Sequence, residues 1–174
     1  GDDIITGGAG ADSLTGGSGA DTFEFSTGDV VSGETLSDSS GTTTISTVGG
    51  GSVDFSQLNS GDQALSDVDQ ILLQAGSTAT FTGAQLNNQS ININAYGTTV
   101  TTLDINVADG ATVDFSNLTF TANSGDQFDS GTDIIDVDAG AGTAGVDITG
   151  TTLTDSIVGG AGADTLQGGA GDDT

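Results

Sequence analysis

Short runs in which every second residue is apolar recur through the middle of this 174-residue chain. Ile91, Ile93 and Ala95 hold alternate places, and so do Leu103, Ile105 and Val107. A period of two marks a strand with one face buried. Residues 51–55 and 77–81 carry a similar alternation, and the chain from Thr42 onward is rich in Thr, Val and Ile between Gly, Asn, Asp and Ser breaks. The pattern predicts short strands at each of these places. Thr22–Phe25 reads as a further strand, leaving the N-terminal region for a polar loop over residues 26–41. Residues 67–74 are the first choice for a helical turn, and residues 82–88 the second. The chain has no proline, so every backbone N–H can donate to a ladder.

The middle also repeats itself. Residues 53–58 (V-D-F-S-Q-L) return as residues 113–118 (V-D-F-S-N-L), and residues 59–63 (N-S-G-D-Q) return as residues 123–127, with residues 119–122 as an insertion. The copies cover about 45–75 and 103–138. A duplicated all-β unit follows, as stacked, solenoid-like coils or as a sandwich of two related sheets.

The ends are written differently. Residues 7–15 (G-G-A-G-A-D-S-L-T) and 16–24 (G-G-S-G-A-D-T-F-E) are two copies of one nine-residue sentence. Glycine fills places one, two and four, aspartate place six, and a large apolar residue place eight. Residues 1–6 supply the last six places of an earlier copy. Residues 159–167 (G-G-A-G-A-D-T-L-Q) are another full copy, 150–158 (G-T-T-L-T-D-S-I-V) a degenerate one, and 168–174 a shortened one. Turn preference alone explains Gly and Asp in such places, but not an aspartate and an apolar residue in the same two places copy after copy.

This sentence resembles the haemolysin-type nonapeptide of the repeats-in-toxin (RTX) family, a calcium-binding parallel β-roll motif. The resemblance implies one turn and one short strand per nine residues, two such units per coil, and one Ca2+ between stacked turns. Calcium takes six to eight oxygen ligands, from carboxylates and backbone carbonyls alike. Glycine lets a backbone turn its carbonyls toward an ion where other residues resist. The implied carboxylate ligands are Asp3, Asp12, Asp21, Asp29, Asp155, Asp164 and Asp173. The implied backbone ligands are Gly1, Gly7, Ala9, Gly10, Gly16, Ser18, Gly19, Gly159, Ala161, Gly162, Gly168 and Gly171. Turns eighteen residues apart should stack, pairing Asp3 with Asp21 and Asp155 with Asp173. Asp12 is expected to pair with Asp29, and Asp164 with a turn after Thr174 or an irregular one before Gly150. Ile5, Leu14, Phe23, Ile157 and Leu166 should point inward, with Asp2 and Asp172 in solvent. Asp133, in a stretch that echoes residues 1–5, is a further candidate with Asp126, Asp129, Asp136 and Asp138 nearby. The expected organisation is thus an N-terminal roll (1–29), a duplicated β-rich middle (30–149) and a C-terminal roll (150–174).

Composition sharpens this. The chain carries 25 acidic residues and no Lys, Arg or His, for a formal charge of −25. No side-chain salt bridge can form, and self-repulsion opposes compaction unless cations intervene. Only two of the acids are Glu (Glu24 and Glu34), which favours tight ligand turns over a merely solvated acidic surface. Nucleic acid is excluded as a partner, since nothing neutralises a phosphate. No apolar run approaches the ~20 residues of a membrane helix. With no Cys there is no disulfide, and without Cys or His zinc has no ordinary ligand set.

Residue 1 is not Met and both ends interrupt a repeat, so the expectation is a segment of a longer protein. Five residues after Thr174 would restore phase at Gly1, an arithmetic that a tandem array would satisfy. The family resemblance implies secretion from a Gram-negative bacterium and folding outside the cell. The texture of the middle resembles bacterial surface layers and giant adhesins. A calcium-folded structural segment of an extracellular layer, filament or adhesin stalk, self-associating in calcium, is therefore expected. The alternative is a folding and export module of a secreted enzyme or toxin. An enzyme in its own right is not expected, because no Ser/His, Cys/His or basic clamp can be assembled.

Overall fold

The computed structural model describes residues 1–58, 65, 67–97, 99–120, 128 and 133–174. The chain is almost all β and winds as a parallel stacked solenoid of about 7 turns. The first coil holds β1 (Ile4–Ile5) and β2 (Ser13–Thr15), and the second β3 (Ser18–Phe25) and β4 (Thr35–Ser37). The third and fourth hold β5 (Ser40–Thr47) and β6 (Ser52–Asp54), then β7 (Gln70–Leu73) and β8 (Thr78–Thr82). Two three-strand coils follow. One is β9 (Asn92–Ala95), β10 (Thr102–Asn106) and β11 (Thr112–Asp114), and the other β12 (Thr119–Phe120), β13 (Ile134–Asp138) and β14 (Asp147–Thr149). The last coil holds β15 (Asp155–Val158) and β16 (Thr165–Gln167).

All pairings among these strands are parallel, so each sheet gathers one side of successive coils. One face runs β1-β3-β5-β7-β9-β12 and a second β15-β13-β10-β8-β6, with smaller faces β11-β14-β16 and β2-β4. Of the two arrangements open to the duplicated middle, the structure adopts stacked coils. The three sequence segments share sheets, since the repeat strand β3 pairs with β5 and the repeat strand β15 with β13.

In-register parallel stacking places like side chains above one another, which makes the core a set of columns. Phe23, Ile45, Ile71 and Ile93 form one column, each fully buried. Val53, Ala79, Leu103 and Ile135 form another. The alternating residues 91–95 and 103–107 point inward as expected. Inside the early coils Phe55 meets Phe25 edge-on, with centroids 5.5 Å apart, and stacks on Phe81 at 4.9 Å.

Three local readings are corrected, and the second-choice helical turn at residues 82–88 is met. Residues 67–74 hold no helical turn but the strand β7, whose Ile71 and Leu73 complete inward columns. The short helix is α1 (Gly83–Leu86), where Thr82 and Gln85 form a reciprocal capping box. Buried Gln85 also donates to the Phe55 and Leu58 carbonyls one coil away, at 2.8 and 3.1 Å. Residues 22–25 do not leave the roll, because β3 continues straight into the main face. The polar span 26–41 contains β4, whose Leu36 stacks on Leu14.

The two V-D-F-S copies land on different faces. Val53 lies on β6 in the five-stranded sheet, and Val113 on β11 in the three-stranded one. Stacked turns lie 18 residues apart at both ends but 26, 27 and 35 apart in the middle, so the middle coils carry an extra side.

Truncating Phe55 removes the ring that joins three coils. Phe55→Ala should cost about 3–5 kcal/mol. Denaturant unfolding in excess calcium measures this, with a destabilisation below about 1 kcal/mol as the contrary result.

Candidate metal centre

Places six and eight of the nonapeptide are two residues apart on one strand, so they share a face. The apolar residue enters the core and the aspartate enters it at the corner. Asp21 is accordingly only 1% exposed, beside fully buried Phe23. Leu14 is buried, Ile5 and Ile157 are partly buried, and Leu166 stacks on Ile148 at an open sheet edge with 45% exposure.

Each repeat aspartate folds back over the glycine at place one. A Cβ on Gly7 would lie 2.8 Å from Asp12 Oδ2, on Gly16 2.6 Å from Asp21 Oδ2, and on Gly159 2.7 Å from Asp164 Oδ2. Gly150 with Asp155 and Gly168 with Asp173 repeat the contact. The first glycine of the sentence is thus a steric requirement of the sixth residue. Place four is a second one. Gly19 adopts φ +130°, and in the coil above Gly41, at φ +126°, packs against its carbonyl.

Successive turns are tied by one recurring bond, from the backbone N–H at place six to the carboxylate stacked on it. Asp3 N–H donates to Asp21 Oδ1 at 2.8 Å, and Asp155 N–H to Asp173 Oδ1 at 3.0 Å. Asp164 Oδ1 accepts from Val146 N–H at 3.1 Å, so its neighbour is the irregular turn before Gly150. Asp12 is not stacked with Asp29. Its N–H donates to Glu34 Oε2 at 3.2 Å, while Asp29 Oδ2 accepts from Ser26 N–H at 2.8 Å within its own turn. The coil here has 22 residues between stacked positions, which carries residue 34, not 29, onto Asp12. Glu34 is the carboxylate stacked on Asp12 that sequence reading missed, and the 22-residue coil is what hid it.

Asp12 Oδ2 and Asp21 Oδ2 are buried and have no hydrogen-bond partner. A buried anionic oxygen without a partner is costly, and no basic side chain exists to answer it. Carboxylates and turn carbonyls offer only oxygen, which suits a hard cation such as calcium. Among the described residues no three carboxylates converge, so an ion here would draw on two carboxylates and on backbone oxygens from Gly7, Ala9, Gly10, Gly16, Ser18 and Gly19. Gly159, Ala161, Gly162, Gly168 and Gly171 are their counterparts at the other end, and Gly1 lies against Gly19. The residues fit the ion that the repeat implies.

The degenerate repeat is satisfied differently. Thr151 stands where the sentence has glycine, and it donates from N–H to Asp155 Oδ2 at 2.7 Å and from Oγ1 to Asp155 Oδ1 at 3.0 Å. At the other junction Asp38 precedes a turn in which Thr43 occupies the aspartate place. Thr43 Oγ1 donates to Asp38 Oδ2 at 2.7 Å, and that bond holds the Asp38 carboxyl below its usual range. Ser39 caps the Gly17 carbonyl with both N–H and hydroxyl. Hydroxyls thus take over where the repeats give way to the middle.

The remaining candidates are scattered. Asp133 Oδ1 accepts from Thr101 N–H at 2.8 Å, and Asp138 Oδ1 from Gly140 N–H at 2.6 Å. Asp136 stands in register with Asp104 on the five-stranded sheet. Asp126 and Asp129 lie outside the described residues. Asp2 is exposed and accepts from Ala20 N–H at 2.9 Å, and exposed Asp172 donates its N–H to Thr154 Oγ1 at 3.2 Å.

The sequence matches the family of RTX calcium-binding nonapeptide repeats, in four copies over residues 1–31 and 149–174. No curated protein and no solved structure matches the chain. This is a repeat protein with RTX calcium-binding segments in β-roll form, and among the described residues no helix is long and apolar enough to cross a membrane.

Two outcomes follow. Gly16→Ala should push the Asp21 carboxylate out of its cradle and weaken calcium binding at that turn by roughly tenfold or more, as read by calorimetric titration; unchanged binding contradicts the cradle. Burial, reinforced by the Asp173 charge and opposed by the Thr151 hydrogen bonds, raises Asp155 from 3.8 to about 6. A raised folded-state value favours the protonated fold, so this contribution is complete below the unfolded value and is lost as pH rises through about 6. Without calcium the chain should keep more strand signal at pH 4.5 than at pH 7.5, as circular dichroism reads it, and Asp155→Asn should flatten that difference.

Proposed function

We propose that this chain is a calcium-folded structural segment of a secreted bacterial extracellular assembly, such as a surface layer, filament or adhesin stalk. The observation that carries the reading is continuity. The faces that hold the RTX repeats also hold the middle coils, so one rod is braced by cation turns at both ends. A module whose only task was export would need no such union with a duplicated middle.

The chemistry agrees with a site outside the cell. Extracellular calcium modules have dissociation constants of roughly 0.1–1 mM. Turns of that affinity stay empty in cytosol and fill outside, and an ion that binds only the folded state stabilises it by mass action. The reading gives the segment no catalytic step, since a chain without His, Cys, Lys or Arg lacks the usual nucleophile and base pairs.

Self-association is part of the proposal. Exposed parallel edges invite further pairing, and the −25 charge keeps copies apart until cations screen or bridge it. Circular dichroism and light scattering during one calcium titration test both parts. Strand signal and particle mass should rise together and fall with chelator. Strand signal indifferent to chelator overturns calcium-driven folding, and a monomer at every calcium concentration overturns the assembly.

A further inference from the structure

Among the described residues, four backbone N–H groups in or beside the repeats donate to a carboxylate in the coil that follows, as Thr43 and Thr101 do to Asp69 and Asp133 in the middle. Three of the acceptors are the repeat aspartates Asp21, Asp164 and Asp173, at 2.8, 3.1 and 3.0 Å. The fourth is Glu34, at 3.2 Å from Asp12 N. Glu34 lies beyond the matched repeats, which end at residue 31, and outside the nonapeptide register.

Its surroundings demand a positive charge. Glu34 is only 1% exposed. The Asp12 and Asp29 carboxylates both act on it as like charges. Independently, Asp12 Oδ2 is a buried oxygen with no partner, held over Gly7 where no Cβ could fit. A buried carboxylate stacked on a turn that holds a second, buried and unpartnered carboxylate oxygen normally needs a basic residue or a metal. The chain has no Lys, Arg or His anywhere.

We infer that Glu34 is a ligand of a divalent cation of the calcium class, shared with Asp12 across the first and second coils. This rests on the reading of the repeats as calcium turns. Chain geometry explains the residue type. The coil from Asp12 to Glu34 is 22 residues long, against 18 from Asp3 to Asp21. The added residues widen the turn, and one more methylene lets the Glu34 carboxylate reach the Asp12 N–H from it. Asp29, spent on Ser26 within that turn, leaves the position to Glu34.

The test counts ions. Native mass spectrometry and calorimetric titration with calcium alone would compare the unaltered chain with Glu34→Gln, Asp29→Asn and Asp21→Asn. The expected result is one ion fewer for Glu34→Gln, the full count for Asp29→Asn, and a separate loss for Asp21→Asn. A full count at unchanged affinity in Glu34→Gln overturns the inference and leaves the calcium reading standing. An unaltered chain that binds no calcium overturns the calcium reading itself. Should Glu34→Gln fail to fold in excess calcium, Glu34→Asp keeps the charge on a shorter arm. It should weaken one site alone by roughly tenfold, and equal affinities at all sites would count against Glu34.

Discussion

A buried carboxylate with no basic residue to meet it is the constraint on which this rod depends. Ordinary proteins answer buried anions with Lys or Arg. Here the answer must come from solution, as a metal ion, or from a proton, or from hydroxyl and amide donors nearby. The corner geometry bears on all three. The repeat turns leave aspartate oxygens unpaired and glycine-cradled. Asp155 is driven toward protonation by its burial. Thr151 and Thr43 supply hydroxyls to carboxylates at the two junctions. The rod therefore passes from coils whose turns are built for a cation at its ends to coils held by neutral hydrogen bonds and packing.

The middle is knit by packing rather than by cation turns. Its columns of Ile, Leu, Val and Phe are continuous across coils. Gln85 spans from the one-turn helix α1 to two carbonyls one coil away. Such bonds satisfy backbone groups that an interrupted ladder would otherwise leave bare. The short helix and the extra side of the middle coils thus remain compatible with a dry interior.

What could be read from the sequence follows a physical line. Asp3 with Asp21 and Asp155 with Asp173 were legible because an 18-residue coil fixes which residues stack. Asp12 was not, because the insertion that lengthens its coil leaves no mark on local pattern. Alternation at residues 91–95 and 103–107 announced strands, since one face is buried and the other is not. Residues 67–74 misled because Ile71-Leu72-Leu73 is an unbroken apolar run, which fits a helix or a strand equally. The helix at residues 83–86 is set by a capping box whose Gln also serves the neighbouring coil, a tertiary role invisible in sequence. The V-D-F-S copies show the same limit in another form. Local sequence dictated strand and turn, but the number of sides already laid down decided which face received them.

The contacting Phe25, Phe55 and Phe81 rings and the parallel columns have a wider implication. A stack in which each rung touches only its neighbours behaves as a one-dimensional lattice, where order spreads from rung to rung. A fault in mid-rod then splits the cooperative unit, and the two halves melt as separate bodies, each anchored by its own terminal coil.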